Sequence, residues 1–203
     1  MTKKAITQSM MGGIILSLIA FSACVVESGG SVVRAVSKEG VVSKIIFVTV
    51  GISDGNAGGI AGADAKCMAD VNYPGSGTYK VLAADGTNRV ASVSANKGDG
   101  QVDWVLQANT SYARRDGTAL MTTDSNGLFV FGTMHNSWDG TITFDATGLS
   151  DDWTGDPNNC RNWTSNSSEI KASGGFNSST GSGAIAIGSS NCSNTAHLIC
   201  VEQ

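Results

Sequence analysis

The chain has 203 residues, and its 17 acidic residues outnumber its 13 basic ones, which gives a formal net charge of −4. An acidic balance of this kind argues against nucleic acid, heparin or an anionic membrane surface as a binding partner. Two prolines against 26 glycines predict a turn-rich β or α+β protein, and the length suits one folded domain with a tether.

The N-terminus has the features of an export signal. Two lysines precede an apolar run at residues 10–21, which fits a signal peptide and is shorter than the roughly 20 residues that a membrane span needs. Small residues then lead into Cys24, as in a lipobox, although Phe21 stands where Leu is usual. We therefore predict that residues 1–23 are a lipoprotein signal peptide and that Cys24 carries the lipid anchor. The alternative is an ordinary signal peptide that happens to contain a cysteine.

The first elements of the mature chain can be predicted from local patterns. Residues 24–44 contain Ser, Gly and Val with scattered charges and no clear period, which predicts a flexible tether between the membrane and the fold. The apolar, β-branched run at residues 45–50 predicts a buried strand. A helix is predicted over residues 60–71, which are rich in Ala and free of Pro, with Asp54 or Asn56 as its cap.

Beyond this helix the pattern changes to short strands separated by turns. These strands are predicted at residues 78–83, 102–106, 127–131, 184–187 and 196–201. The polar stretch 133–159 has neither a helix nor a strand period and contains Trp138 and Trp153. Long ordered loops often carry function, and Trp is enriched at the energetic centres of interfaces. We therefore consider Trp138 and Trp153 candidate partner-binding residues; the alternative is that they pack in the interior.

Four cysteines remain after Cys24, namely Cys67, Cys160, Cys192 and Cys200. An even number of cysteines in an exported protein predicts two disulfides. Three pairings are possible, and the spacing does not choose among them. Trp163 lies close to Cys160 in sequence and is expected to pack over a disulfide.

The sequence offers little support for a metal centre or for catalysis. It has no C-x-x-C pair and only two histidines, His135 and His197, so we expect no zinc site. It also has no G-x-S-x-G motif and no free thiol after pairing, which predicts a protein that is not an enzyme and needs no cofactor. The acidic stretch 151–159 supplies oxygen atoms of the kind that calcium prefers, and calcium binding there stays open.

Short motifs along residues 45–203 occur in a recognisable order. They are Ile46-Phe47-Val48-Thr49, Gly58–Cys67, Gly77–Lys80, Asp103–Leu106, Trp153–Gly155, Asn159–Ser165, Cys192 and Leu198–Glu202. Together they resemble the leptospiral endostatin-like (Len) family of outer-membrane lipoproteins. The resemblance implies a C-type-lectin-like or endostatin-like α+β domain with small antiparallel sheets, two helices, a long loop region and adjacent termini. It also implies the disulfides Cys67–Cys200 and Cys160–Cys192.

The resemblance further implies a function in adhesion. Members of that family resemble outer-membrane surface receptors that bind host proteins, namely laminin, fibronectin, plasminogen and complement factor H. The Glu-Pro-Asn or Gln-Pro-Asp tripeptide with which C-type lectins hold calcium is missing here, so calcium-independent protein binding is expected. Two alternatives stay open: a carbohydrate-binding lectin, and an envelope-structural lipoprotein without a host ligand.

Overall fold

The computed structural model describes residues 42–203, so the signal peptide, Cys24 and most of the predicted tether lie outside the described residues. The described part is a small mixed α+β domain with two helices and two small sheets. Its elements in chain order are β1 (Lys44–Val48), α1 (Gly59–Ala69), β2 (Tyr79–Val81), β3 (Ser111–Ala113), β4 (Ala119–Thr122), β5 (Phe144–Ala146), α2 (Cys160–Trp163), β6 (Lys171–Phe176), a 3₁₀ turn (Ser182–Ala184), β7 (Gly188–Asn191) and β8 (Ile199–Glu202).

The larger sheet has the strand order β2-β8-β1-β3-β4, with β1 in the centre. β1 pairs antiparallel with β8 and parallel with β3, so the last strand lies beside the first. Ile46 and Val48 pack in one apolar cluster, while Ile45 and Phe47 pack in a second cluster together with α1. Burial on both faces explains why β1 reads as a continuous apolar run rather than as an alternating one.

Helix α1 confirms the predicted helix but not its predicted cap. It begins after Gly58, whose φ of 87° is left-handed, and no side chain caps it. The carboxylate of Asp54 instead accepts the N–H of Asn56 in a local turn. The helix ends where Asp70 becomes extended and its carboxylate accepts the N–H groups of Val50 and Gly51, which ties the end of α1 to the segment that follows β1.

Three of the predicted strands differ from the observed backbone. Residues 102–106 form only an isolated bridge at Val102, and residues 127–131 are irregular. Residues 182–184 form a 3₁₀ turn, and the strand β7 begins later, at Gly188. The apolar patterns were a partial guide to burial, because Leu106 and Phe129 are in the core whereas Val102 and Val130 of the same runs are exposed. Burial, however, does not require pairing in a ladder when side chains and turns can accept the backbone hydrogen bonds.

The second helix is a single left-handed turn. Its residues, Cys160–Trp163, have φ angles of 53°, 54°, 58° and 61°, a conformation that costs L-amino acids roughly 1–2 kcal/mol per residue. Three contacts hold it: the disulfide of Cys160, a backbone hydrogen bond accepted by the side chain of Asn159, and a bond from Trp163 Nε1 to Ala84 O (3.1 Å). The sequence pattern did not predict this turn.

The two disulfides join the same pairs that the resemblance implies. Cys67–Cys200 connects α1 to β8 across 133 residues, and Cys160–Cys192 closes a segment of 32 residues. Trp163 packs in the same apolar cluster as Cys160 and Cys192, as expected. By restricting the unfolded chain, each bond should contribute a few kcal/mol to the free energy of unfolding, roughly 3–5 kcal/mol for loops of these lengths.

Candidate binding surface

The stretch 133–159, called the loop region below, is ordered by contacts with the core rather than by secondary structure of its own. It contains one short strand, β5, which pairs with β6. Before β5, Arg114 Nε donates to Ser137 O (2.9 Å), and His135 N–H donates to Leu120 O (2.7 Å). The loop region is therefore held against the larger sheet at several points, and its surface is shaped by that scaffold.

Trp138 does not lie on the surface, which corrects the prediction that it contacts a partner. Its side chain is only 1% exposed, and its Nε1 donates to Ala184 O at 3.0 Å. The ring packs edge-on against Phe129, with 5.8 Å between the ring centres. Trp138 therefore anchors the loop region to the core, because a buried indole is stable only when its N–H has an acceptor.

Trp153 is also buried, at 1% exposure, so the same correction applies to it. The ring of Phe131 stacks on it, with 5.3 Å between centres and 8° between planes. Phe129 meets it edge-on at 4.8 Å. The backbone of Trp153 has a φ of 70°, which costs energy for a bulky residue and which this packing offsets. The two Trp residues of this polar stretch therefore hold the loop region to the core and do not contact a partner.

The residues that pack over Trp153 are better placed to contact a partner than the two buried Trp side chains are. A depression beside Trp153 is lined by Phe129, Val130, Phe131 and two polar residues, Asn96 and Asp124; we call it the aromatic depression. Val130 is 62% exposed, and Phe131 is partly exposed. Sequence reasoning missed this site because residues 127–131 were predicted to be a strand.

A second, polar cleft lies where the loop region meets β6 and β7. It is lined by side chains that include Ser150, Asp151, Asp156, Asn158 and Ser189. Asp156 Oδ1 accepts bonds from the backbone and the side chain of Asn158 at 2.8 and 2.9 Å. This carboxylate thus supports a local turn. Among residues 42–203, no three His, Cys, Asp or Glu side chains are grouped in a way that could hold a metal ion.

Asp145, in the middle of β5, is a buried carboxylic acid that sequence reasoning also missed. It is 0% exposed, and neither of its side-chain oxygens has a hydrogen-bond partner among the described residues. Burial, together with the negative charge of Asp139, raises its pKa to about 8. The sequence signal for its burial was its position between two apolar residues, Phe144 and Ala146, in a short strand. The side chain is therefore largely protonated at neutral pH.

Neither histidine has a setting that suggests chemistry. His197 Nδ1 lies 2.7 Å from Thr49 O, which places the ring in a structural contact between the segments beside β1 and β8. His135 is exposed in the loop region.

A scan against known families gives one match, which spans residues 51–182 and is described as "Protein of unknown function (DUF1554)". The match covers more than half of the chain. The chain belongs to the DUF1554 family. No curated protein matches it.

The segment shared with the DUF1554 family contains the aromatic depression but only part of the polar cleft, whose residues 187–189 lie beyond it. It runs from the turn before α1 to the 3₁₀ turn and includes the loop region and the aromatic depression, whereas β1, β7 and β8 lie outside it. Cys192 and Cys200 also lie outside it, so each disulfide joins the shared segment to a residue beyond it. No helix within residues 42–203 is long and apolar enough to cross a membrane.

Proposed function

We propose that this DUF1554 protein is a lipid-anchored surface lipoprotein of the outer membrane that binds host proteins, with laminin, fibronectin, plasminogen and complement factor H as the candidate ligands. The proposed fold is C-type-lectin-like, in the manner of the Len family. In support, the first and last strands pair with each other, and one disulfide joins the first helix to the last strand. Both features are expected of that fold.

One observation carries the functional part of the proposal. The loop region is irregular on the outside but rigidly supported from the inside by Trp138 and Trp153. A surface that is fixed before binding loses less conformational entropy when a partner docks. Ile142 is 81% exposed in this region. Covering such an apolar side chain removes it from water, which makes binding of a partner more favourable.

The test uses binding of the purified full-length chain, in detergent, to immobilised laminin, fibronectin, plasminogen and factor H. We expect Ile142→Asp to weaken binding at least about tenfold, because an apolar contact at an interface centre is worth more than 1 kcal/mol. Val71→Asp is the matched control, since Val71 is 77% exposed and lies outside the loop region. Binding should persist in EDTA.

The alternatives give different results in the same experiment. Equal binding by the Ile142→Asp and Val71→Asp chains would contradict the loop surface. Glycan binding that EDTA abolishes would identify a calcium-dependent lectin instead. The absence of binding to any host protein would favour an envelope-structural role.

Anchoring through Cys24 is a separate expectation, motivated by the lipobox-like Phe-Ser-Ala-Cys that follows a short apolar run. Wild type should partition into the detergent phase and Cys24→Ala into the aqueous phase, because acyl chains supply the membrane affinity. Protease treatment of intact cells should digest the anchored protein if it faces outward. Identical partitioning of the two chains would rule out lipidation at Cys24.

A further inference from the structure

The aromatic depression combines an apolar floor with a fixed negative charge. Trp153 and Phe131 stack face to face, and Phe129 is edge-on to both. Phe131 remains partly exposed. The face of an aromatic ring carries partial negative charge and attracts cations, with a gain that is largest where water is displaced.

Asp124 supplies the charge at this depression. Its Oδ1 accepts the N–H groups of Asn126 (2.8 Å) and Leu128 (3.0 Å), which fixes the orientation of the carboxylate. No hydrogen bond to its Oδ2 occurs within the described part of the chain, and Asp124 lines the depression and is only half-buried, so this oxygen is available to a ligand. A carboxylate that is already oriented binds a cationic donor at a lower entropic cost than a mobile one.

The surroundings also favour a cation. The segments that border the depression, residues 94–100, 124–131 and 150–154, contain four aspartates and one lysine. Asn96 N–H donates to Asp152 O (2.7 Å), so the first and third segments are in contact beside Trp153. The resulting negative potential repels acidic partners and attracts basic ones.

We propose that the aromatic depression binds a Lys or Arg side chain of a partner protein, with the basic group on Asp124 and the remainder of the side chain on Phe131. This inference rests on the proposed function, because it names the chemistry by which a host protein is recognised. It assigns recognition to the residues that cover Trp153 and not to that Trp itself.

The test uses two synthetic peptides, acetyl-Gly-Ser-Arg-Ser-Gly-amide and the same peptide with citrulline in place of Arg. Citrulline keeps the shape of Arg but carries no charge. Each is titrated into the isotope-labelled full-length chain in detergent and followed by NMR. We expect the Arg peptide to shift the amide signals of Asn96, Val130 and Phe131. The citrulline peptide should bind at least about tenfold more weakly, and added salt should weaken binding of the Arg peptide.

Two variants and one control complete the design. Asp124→Asn keeps the oxygen that accepts the two backbone N–H groups and removes the charge. This variant should bind the Arg peptide about tenfold more weakly than wild type. Phe131→Leu should bind the Arg peptide severalfold more weakly than wild type. Asp116→Asn is the control, because Asp116 also accepts a backbone N–H two residues further on but lines a different groove. This control should bind like wild type.

The outcomes separate this inference from the proposed function. Any one of three results would overturn the inference even if host proteins bind. These are the absence of shifted amide signals at the depression, equal binding of the Arg and citrulline peptides, and equal binding by the Asp124→Asn and Asp116→Asn chains. Specific binding of the Arg peptide with no binding to any host protein would support the cation site and contradict the adhesin proposal.

Discussion

Replacing Arg89 with Met is expected to lower the free energy of unfolding by about 3–5 kcal/mol, the usual effect of removing one partner of a buried ion pair. Arg89 is 0% exposed. Its Nη1 and Nη2 donate to the two oxygens of Asp64, each at 2.8 Å, and Nη2 also donates to Asp103 Oδ2 at 2.5 Å. Without the guanidinium, the half-buried carboxylate of Asp64 loses the cation that compensates its charge, and the exposed carboxylate of Asp103 keeps only Lys80 as a partner.

The same side chain also satisfies backbone groups. Nε donates to Asp103 O (2.9 Å), and Nη1 donates to Val81 O (2.8 Å). Burial alone would raise the pKa of Asp103, but hydrogen bonds from Lys80 and Arg89 outweigh it and lower that pKa. Arg89 therefore joins α1, β2 and the segment around Asp103, and its loss leaves several polar atoms unsatisfied at once.

The measurement is urea unfolding of the oxidised full-length chain at pH 7. Arg89→Lys should give a smaller loss than Arg89→Met, since Lys keeps the charge but not the planar fork that bridges two carboxylates. Arg115→Met is the control, because Arg115 makes one side-chain hydrogen bond, to Asn72, and is partly exposed; its loss should cost less than about 1 kcal/mol. An Arg89→Met chain no less stable than the control would show that the network does not support the fold.

Replacing Asp145 with Asn is expected to stabilise the protein at pH 8 while changing little at pH 4.5. The pKa of Asp145 is raised from 3.8 to about 8 in the folded chain. The unfolded chain therefore releases this proton near pH 4 and the folded chain near pH 8, so the free energy of unfolding falls as the pH rises between these values. The difference between these two pKa values corresponds to at most about 6 kcal/mol of stability.

Unfolding in urea at several pH values between 4.5 and 8.5 checks this expectation. Asn has nearly the shape of the neutral acid and does not ionise, so the difference between the two chains should grow with pH to about 2 kcal/mol or more at pH 8. Asp116→Asn is the control at an exposed position, and its difference from wild type should not grow. Parallel curves for wild type and Asp145→Asn would mean that this carboxyl titrates normally in the folded state.

Local sequence patterns narrowed the class of the domain to β or α+β and predicted several of its parts. The β-branched run that became β1 and the Ala-rich stretch that became α1 were both predicted. These features depend on neighbouring residues only, because a buried strand and a short helix have their own periods and compositions. The even number of cysteines likewise predicted disulfides but not, without the resemblance, which residues pair.

The tertiary structure alone decided where the side chains of the loop region go. Trp138 and Trp153 lie in a polar stretch, yet both are buried, because aromatic residues from the segment 127–131 and an acceptor beyond β6 meet them there. No local pattern encodes contacts between residues so far apart in sequence. The same holds for Arg89 with its two aspartates, and for Asp145, whose burial depends on what packs over β5.

Long-range packing also decided the backbone where propensity would have predicted otherwise. The segment 127–131 has the composition of a strand but is irregular, and the turn at Cys160–Trp163 is left-handed. In both places, contacts from distant parts of the chain outweigh a local preference of about 1 kcal/mol per residue. The sequence by itself therefore determined which segments are apolar and which cysteines are available, and the tertiary structure decided which of those residues remain exposed for a partner.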